Sequence, residues 1–403
     1  MVRTAGLHTT PGRVTVVAAG VVGMLLGASC GAPDETGAPE PTTAPSGGPT
    51  ASASPDATDA PVGERDARTW PYPADSIWNH PLGDEASLVP FPVEPTDVTL
   101  VPEEDLLIIA PEAPLQDVYA TTAGWDPAQT RCGSVTDEVL VEDLPIPVGW
   151  TTDPGYDGTT PNQSTAILLP DDTLLELQPF HICPDGTPVA QYAAPAWRGS
   201  SIITGGVPGD IGGGAHGGSG LTAFGGTIRL GEWVPGGRIR HALKVTVSGD
   251  ELSSSEGGFR WPADRADVDW ATTYLGSVPE ARMGALLTLG PDFDVDALST
   301  EPARIIATAL QEYGAYVVDD AGRRTVAYSV EWGPQGRVTD EFEQAWGYPM
   351  AGRVSEASGE QQGFLADMER IDLALQVVDD NTAETPGGAG TALAPFAPPL
   401  AVS

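Results

Sequence analysis

The stretch from Gly212 to Leu221, GGGAHGGSGL, sets one histidine, His216, among six glycines. Glycine at this density marks backbone that turns through positive φ or passes close to something else. An imidazole on such a loop, with its near-neutral pKa, suits a proton donor or acceptor at the lip of a cleft. Alternatively the glycines only let the loop cross another strand, and His216 is structural. A second candidate patch joins Glu176 and Gln178 to Phe180, Tyr192 and Trp197. Sugars are held by aromatic faces and by side chains that both donate and accept hydrogen bonds, so Gln178, Tyr192, Trp197 and Trp261 are expected substrate contacts. Glycosidic cleavage needs two carboxyl groups, one protonated and one ionised. Glu176 is the expected first. Asp264, Asp267 and Asp269 follow GFRWP as candidates for its partner, with Asp319 and Asp320 behind them.

Of the 19 Lys and Arg residues, six fall between Arg229 and Arg265: Arg229, Arg238, Arg240, Lys244, Arg260 and Arg265. They could neutralise a uronate, since guanidinium matches carboxylate geometry, or simply pair with neighbouring Asp and Glu. In the lyase version Arg240 or Lys244 neutralises the substrate carboxylate while His216 or Tyr192 removes the adjacent proton. Alternation in GGRIRHALKVTVSGD places Ile239, His241, Leu243, Val245 and Val247 on one face, which makes His241 a hydrogen-bonded core residue. The serine of GGSGL lacks the final glycine of a nucleophile elbow, and no HExxH, phosphate loop or dinucleotide fingerprint occurs. No cofactor and no metal ion is implied.

These residues must be positioned by sheet. From Trp70 to about Trp261, short alternating or apolar runs are broken by Pro, Gly and Asp. STAILLPDDTLLELQPFHICPDGTPVAQY reads as a three-strand meander with turns at Pro170-Asp-Asp and Pro184-Asp-Gly. Glu176, Gln178 and Phe180 then share a face, with Tyr192 on the adjoining strand. STEPARIIATALQEYG reads as a helix capped by Ser299 or Thr300, with Pro302 early and Gly314 at its end. AYVVDDAGRRTVAYSV reads as a hairpin around Asp319–Gly322, and QQGFLADMERIDLALQVVDD as a final helix. The expected fold is mainly β, an antiparallel β-sandwich of jelly-roll type with a few helices packed in the C-terminal half.

The chain organisation follows from composition. Residues 1–29, with Arg3 and Arg13 before a short apolar run, form an export signal. It ends at Leu26-Gly-Ala-Ser-Cys30, similar to a lipobox, so Cys30 is the expected lipidation site; an ordinary cleaved signal is the alternative. Residues 30–64 are a Pro/Ser/Thr/Gly-rich tether without enough apolar surface to fold. One domain spans 65–380, and residues 381–403 read as a disordered tail. Of three cysteines, Cys132 and Cys183 remain to pair in an oxidising compartment, closing a loop worth about 4 kcal/mol on the chain-entropy model. The formal net charge of −37, with Lys244 the sole lysine, excludes nucleic acid and an anionic membrane surface as partners.

The segments AHGGSGLTAFGGTIRLGE, IRHALKV, GFRWPA, MGALLTL, TEPARII and YGAYVVDD, with DSIWN near the start, together resemble an uncharacterised family of secreted bacterial (lipo)proteins. The resemblance covers residues 75–80 and, more densely, 215–320. It implies a β-sandwich and an export-linked, carbohydrate-directed role, and assigns no catalytic residue. The expectation is a monomeric extracytoplasmic protein, lipid-anchored through Cys30 or else secreted, that acts on polysaccharide or cell-envelope glycan as a glycoside hydrolase or uronate-directed lyase. A non-catalytic glycan-binding or envelope lipoprotein is the rival. A solute-binding protein is disfavoured by the lack of alternating βα units.

Overall fold

The computed structural model describes residues 63–94, 100–124, 129–152, 163–193, 200–211 and 213–401. The leader, Cys30, the tether up to residue 62 and Trp197 lie outside the described residues. Thr58–Ser403 forms one compact unit.

Its strands are β1 (Leu88–Pro90), β2 (Glu103–Ile108), β3 (Leu115–Thr121), β4 (Val135–Pro145), β5 (Thr165–Leu168), β6 (Thr173–Ile182), β7 (Pro188–Ala193), β8 (Ser200–Ser201), β9 (Leu243–Ser248), β10 (Leu286–Leu289), β11 (Ala315–Ala321), β12 (Val326–Gly333), β13 (Gly336–Arg337) and β14 (Leu375–Val378). The helices are α1 (Trp270–Thr273), α2 (Glu301–Glu312), α3 (Val338–Trp346) and α4 (Gly359–Asp372). The strands join in the order β1-β14-β10-β11-β9-β12-β2-β5-β6-β7-β3-β4, with β13 beside β12 and β8 beside β6. The protein is therefore mainly β, as its sequence pattern requires. The pairing is mixed, however: β11 with β9, β12 with β2, β2 with β5 and β3 with β7 are parallel, which departs from the all-antiparallel jelly roll expected. Parallel neighbours need long crossovers, and the chain between β9 and β11, which carries α2, is one.

The predicted meander holds. β5, β6 and β7 are successive antiparallel neighbours, and Gln178 lies directly opposite Tyr192. The predicted hairpin at Asp319–Gly322 does not form. β11 and β12 flank β9, one parallel and one antiparallel, because the apolar run of β9 is buried throughout and offers both edges to partners. Helix α2 forms as expected, with Pro302 in its first turn. Its cap is not a side chain of its own segment: Asp367 on α4 accepts from the Thr300 N–H and from the Ser299 and Thr300 hydroxyls, each at 2.8 Å. The final helix ends at Asp372, and the rest of that stretch becomes β14.

The C-terminal tail is a correction. Residues 381–401 are ordered against the domain. Leu393 N–H donates to Leu82 O at 2.8 Å, and Ala401 N–H and Arg65 N–H exchange bonds with Arg65 O and Pro399 O at 2.9 and 3.0 Å. Small residues such as Ala394 and Ala397 are buried there. The tail is held by backbone pairing rather than by large side chains, so composition alone misjudges it. The disulfide forms as expected, with Cys132 and Cys183 Cα atoms 5.7 Å apart.

Candidate functional site

Asp105 is the middle residue of β2 and is fully buried. A charge in that position requires partners, and three converge on it. Lys244 Nζ from β9 lies 2.9 Å from Oδ2, the Thr227 hydroxyl donates to the same oxygen at 3.0 Å, and His216 Nε2 lies 3.2 Å from Oδ1. The imidazole and Oδ1 are close but not aligned as a hydrogen bond, so that contact is chiefly electrostatic. Lys244 spends its remaining donors on the carbonyls of Thr222 and Ala223, at 2.9 and 2.8 Å. Burial alone would raise the Asp105 carboxyl, but Lys244 and His216 together hold it below its ordinary value. Burial pushes both the Lys244 ammonium and the His216 imidazole down. The second ring nitrogen of His216 faces outward from this pair, 3.3 Å from Ser164 Oγ and 3.9 Å from Asp319 Oδ2.

The glycine loop is therefore folded against carboxylates rather than over the mouth of a cleft, and His216 is wholly buried. Its backbone closes on itself, with His216 N–H donating to Leu221 O at 3.1 Å and Gly220 N–H to His216 O at 2.8 Å. Glu176 on β6 fastens the loop at both ends. Its Oε2 accepts from Ala215 N–H at 2.7 Å and Ala223 N–H at 2.9 Å, and its Oε1 from the Thr222 hydroxyl. Burial raises its pKa to about 7 against the pull of those donors. This corrects the catalytic assignment of Glu176: each of its oxygens is engaged by the loop, and no face of it is open to a substrate.

Beside the loop lies an open hollow of about 980 Å³, whose lining includes Gln178, Tyr192, Gly217, Asp267, Asp319 and Asp320. The last three each offer a carboxylate oxygen, all within 4.8 Å of one another. Oxygen atoms at that spacing could also hold a hard cation. Asp319 reaches this position through a one-residue bulge in β11. Val317 pairs with Val245, but Asp319 pairs with Thr246, leaving Val318 over. The bulge shifts Asp319 onto the face shared by Lys244 and Thr246, whereas regular alternation would keep it with Val317 in the apolar core. Gly218 packs where any side chain would strike the cluster, since a Cβ there would lie 2.7 Å from Asp319 Oδ1 and 2.8 Å from Asp267 Oδ2.

The protonation of the three is set by crowding in a poorly hydrated place. Burial, then Asp267 and Asp320, raise Asp319 well above the ordinary carboxylate value. Burial, then Asp267 and Asp269, bring Asp320 to about 6. Asp267 is also raised, chiefly by burial, while the Tyr274 hydroxyl, 2.5 Å from its Oδ2, opposes the rise by donating to the ionised form.

Of the other expected site residues, Gln178 and Tyr192 line the hollow. Lys244 does not reach it, being committed to Asp105. Arg240 is exposed and Trp261 is half-buried against the cluster that contains Tyr72 and Trp78; neither belongs to the lining. Five of the six clustered cations are paired with carboxylates: Arg229 with Glu331, Arg238 with Glu312, Lys244 with Asp105, Arg260 with Asp379 and Arg265 with Asp264. His241 is a core residue, bonded to Ala242 O and Glu232. Asp105 was not anticipated. Its signal is the last of three consecutive acids, Glu103, Glu104 and Asp105, running directly into an apolar stretch in EEDLLIIA. No family model, curated protein or solved structure matches this chain.

Proposed function

We propose that this is an extracytoplasmic, lipid-anchored protein that hydrolyses polysaccharide, with the Asp267, Asp319 and Asp320 carboxyls as its acid and base. The observation that carries the reading is their convergence on the floor of an open hollow lined by a tyrosine face and two amide side chains, Gln178 and Gln191. Asp319, the most deeply buried of the three and raised well above the ordinary carboxylate value by burial and its acidic neighbours, is the acid that gives its proton to the glycosidic oxygen. Asp267, steadied by Tyr274, is the ionised partner at the anomeric carbon. Burial raises both groups, and the Tyr274 hydroxyl opposes that rise at Asp267, which suits it to the ionised role in such chemistry. The uronate-lyase version loses its support, because Lys244 is buried on Asp105 and Arg240 lies outside the lining.

The test is release of reducing ends from a polysaccharide panel by the tether-free domain, beside Asp319→Asn and Asp267→Asn. Each substitution should reduce turnover at least about a hundredfold while leaving the melting temperature near or above that of the parent. Saturable glycan binding with no product from the parent protein would instead make it a glycan-binding lipoprotein. Membrane attachment is checked separately by Cys30→Ala, which should release the protein into the medium.

A further inference from the structure

Resting on the glycan reading above, we infer that the sugar polymer taken by this hollow carries positively charged amino groups, as a de-N-acetylated hexosamine chain does, and not uronates. Four carboxylates, Asp267, Asp269, Asp319 and Asp320, line one space. Among the described residues the one cation in the lining, Arg265, turns its guanidinium to Asp264, with hydrogen bonds of 2.6 and 3.1 Å. Lys244, the only lysine of the chain, is already held by Asp105. A uronate entering here would meet like charge and, among the described residues of the lining, no cation free of a carboxylate partner. An ammonium would meet a walled, single-sign field that concentrates it and would relieve the crowding of the buried acids.

An independent feature points to a ligand in the same space. Gln178 is 2% exposed, lines the hollow, and its carboxamide makes no hydrogen bond among the described residues. Its unpaired amide atoms are not fully enclosed and open onto the hollow, where a ligand can pair them. Gln178 faces the occupant's position with both a donor and an acceptor, suited to a sugar hydroxyl beside an amine. Opposite it on β7, the Tyr192 side chain is 46% exposed and offers a flat face for a pyranose ring.

Calorimetric titration of the parent domain with hexamers of glucosamine, N-acetylglucosamine and galacturonate, at about 20 and about 200 mM NaCl, tests this without reference to cleavage. The amino hexamer should bind about tenfold or more tighter than the acetylated one at low salt, with the gap narrowing at high salt. Asp269→Asn, on the exposed rim, should weaken the amino hexamer several-fold and leave the acetylated one unchanged. Equal affinities, or preference for the uronate, would overturn the inference and leave the hydrolase reading standing. So would binding of only a neutral polysaccharide from the wider panel. Failure of every glycan to bind would remove both.

Discussion

Replacing Glu176 separates a loop clamp from a catalytic acid. In Glu176→Ala the N–H groups of Ala215 and Ala223 and the Thr222 hydroxyl lose their acceptor in a fully buried place. At about 1–3 kcal/mol for each unsatisfied group, not fully additive, the loss is about 3–6 kcal/mol. Unfolding of a unit as long as Thr58–Ser403 carries an entropy of about 0.7 kcal/mol/K, so the melting temperature should fall by about 4–8 °C. Glu176→Gln keeps an oxygen for the two N–H donors, and its amide donates to Thr222, whose hydroxyl then accepts. The parent carboxyl, with its folded pKa raised to about 7, favours folding less as pH rises from about 4.5 through 7, a change of about 3 kcal/mol at most. The glutamine lacks that change. Its stability relative to the parent should therefore improve from pH 5 to pH 8, as read by urea denaturation followed through tryptophan fluorescence. Glycan turnover by Glu176→Gln should stay within a few-fold of the parent. A fully folded Glu176→Gln protein that has lost turnover by orders of magnitude would refute the clamp and restore Glu176 to the chemistry.

The same sign applies to the whole domain: Glu103 raised to about 8, Glu251 to about 7, and Asp319 and Asp372 raised by burial all bind protons more tightly when folded. Melting temperature should accordingly decline between pH 5 and pH 8 in a fluorimetric scan, and a flat or rising profile would contradict the burial assigned to these groups. Asp105, held low, contributes oppositely and only at acid pH, where its ionised form and the stability it confers are lost. Lys244→Met strands Asp105 in the interior and should cost about 3–5 kcal/mol, part of which returns in the Asp105→Asn/Lys244→Met double variant; strict additivity in the denaturation cycle would show that the two side chains do not interact. Gly218→Ala, whose methyl would sit under 3 Å from two carboxylate oxygens, should depress glycan turnover and affinity far more than Gly231→Ala, where the methyl meets no neighbour and the only strain is that of the positive φ of 85°.

The elements legible from sequence are those whose signals are local. Pro170-Asp-Asp and Pro184-Asp-Gly fix the β5–β6–β7 meander, and with it the pairing of Gln178 with Tyr192. Period and an early proline fix α2, and elimination in an oxidising compartment fixes Cys132 with Cys183. What failed was non-local. DDAGRR has hairpin chemistry, yet β9, about 70 residues upstream of it in sequence, lies between the two arms. The tail beyond Asn381 has too few large side chains to suggest order, and its order comes from carbonyls and N–H groups supplied by residues around Arg65 and Leu82. Asp267, Asp319 and Asp320 were visible as acids near the right segments, but their meeting depends on one bulged residue, Val318. Glu176 was found for the wrong reason: alternation reports which face a carboxylate is on, not whether three donors from a distant loop already occupy it.

His216 and Glu176 bear on the site without touching the hollow, and charge accounting explains why they are needed. Asp267, Asp319 and Asp320 repel one another, and nothing about three like charges favours their staying together. The carboxylates remain side by side because the surface behind them is rigid. Glu176 ties both ends of the glycine loop, and the Lys244–Asp105 pair links the start of β9 to β2 across the intervening β12, with His216 beside Asp105. Gly218 can then lie flat against the acids. Among the described residues Lys244 is held by Asp105 and Arg265, in the lining, by Asp264, so burial and the mutual repulsion of the acids are met by protons, which raises the affinity of Asp319 and Asp320 for them.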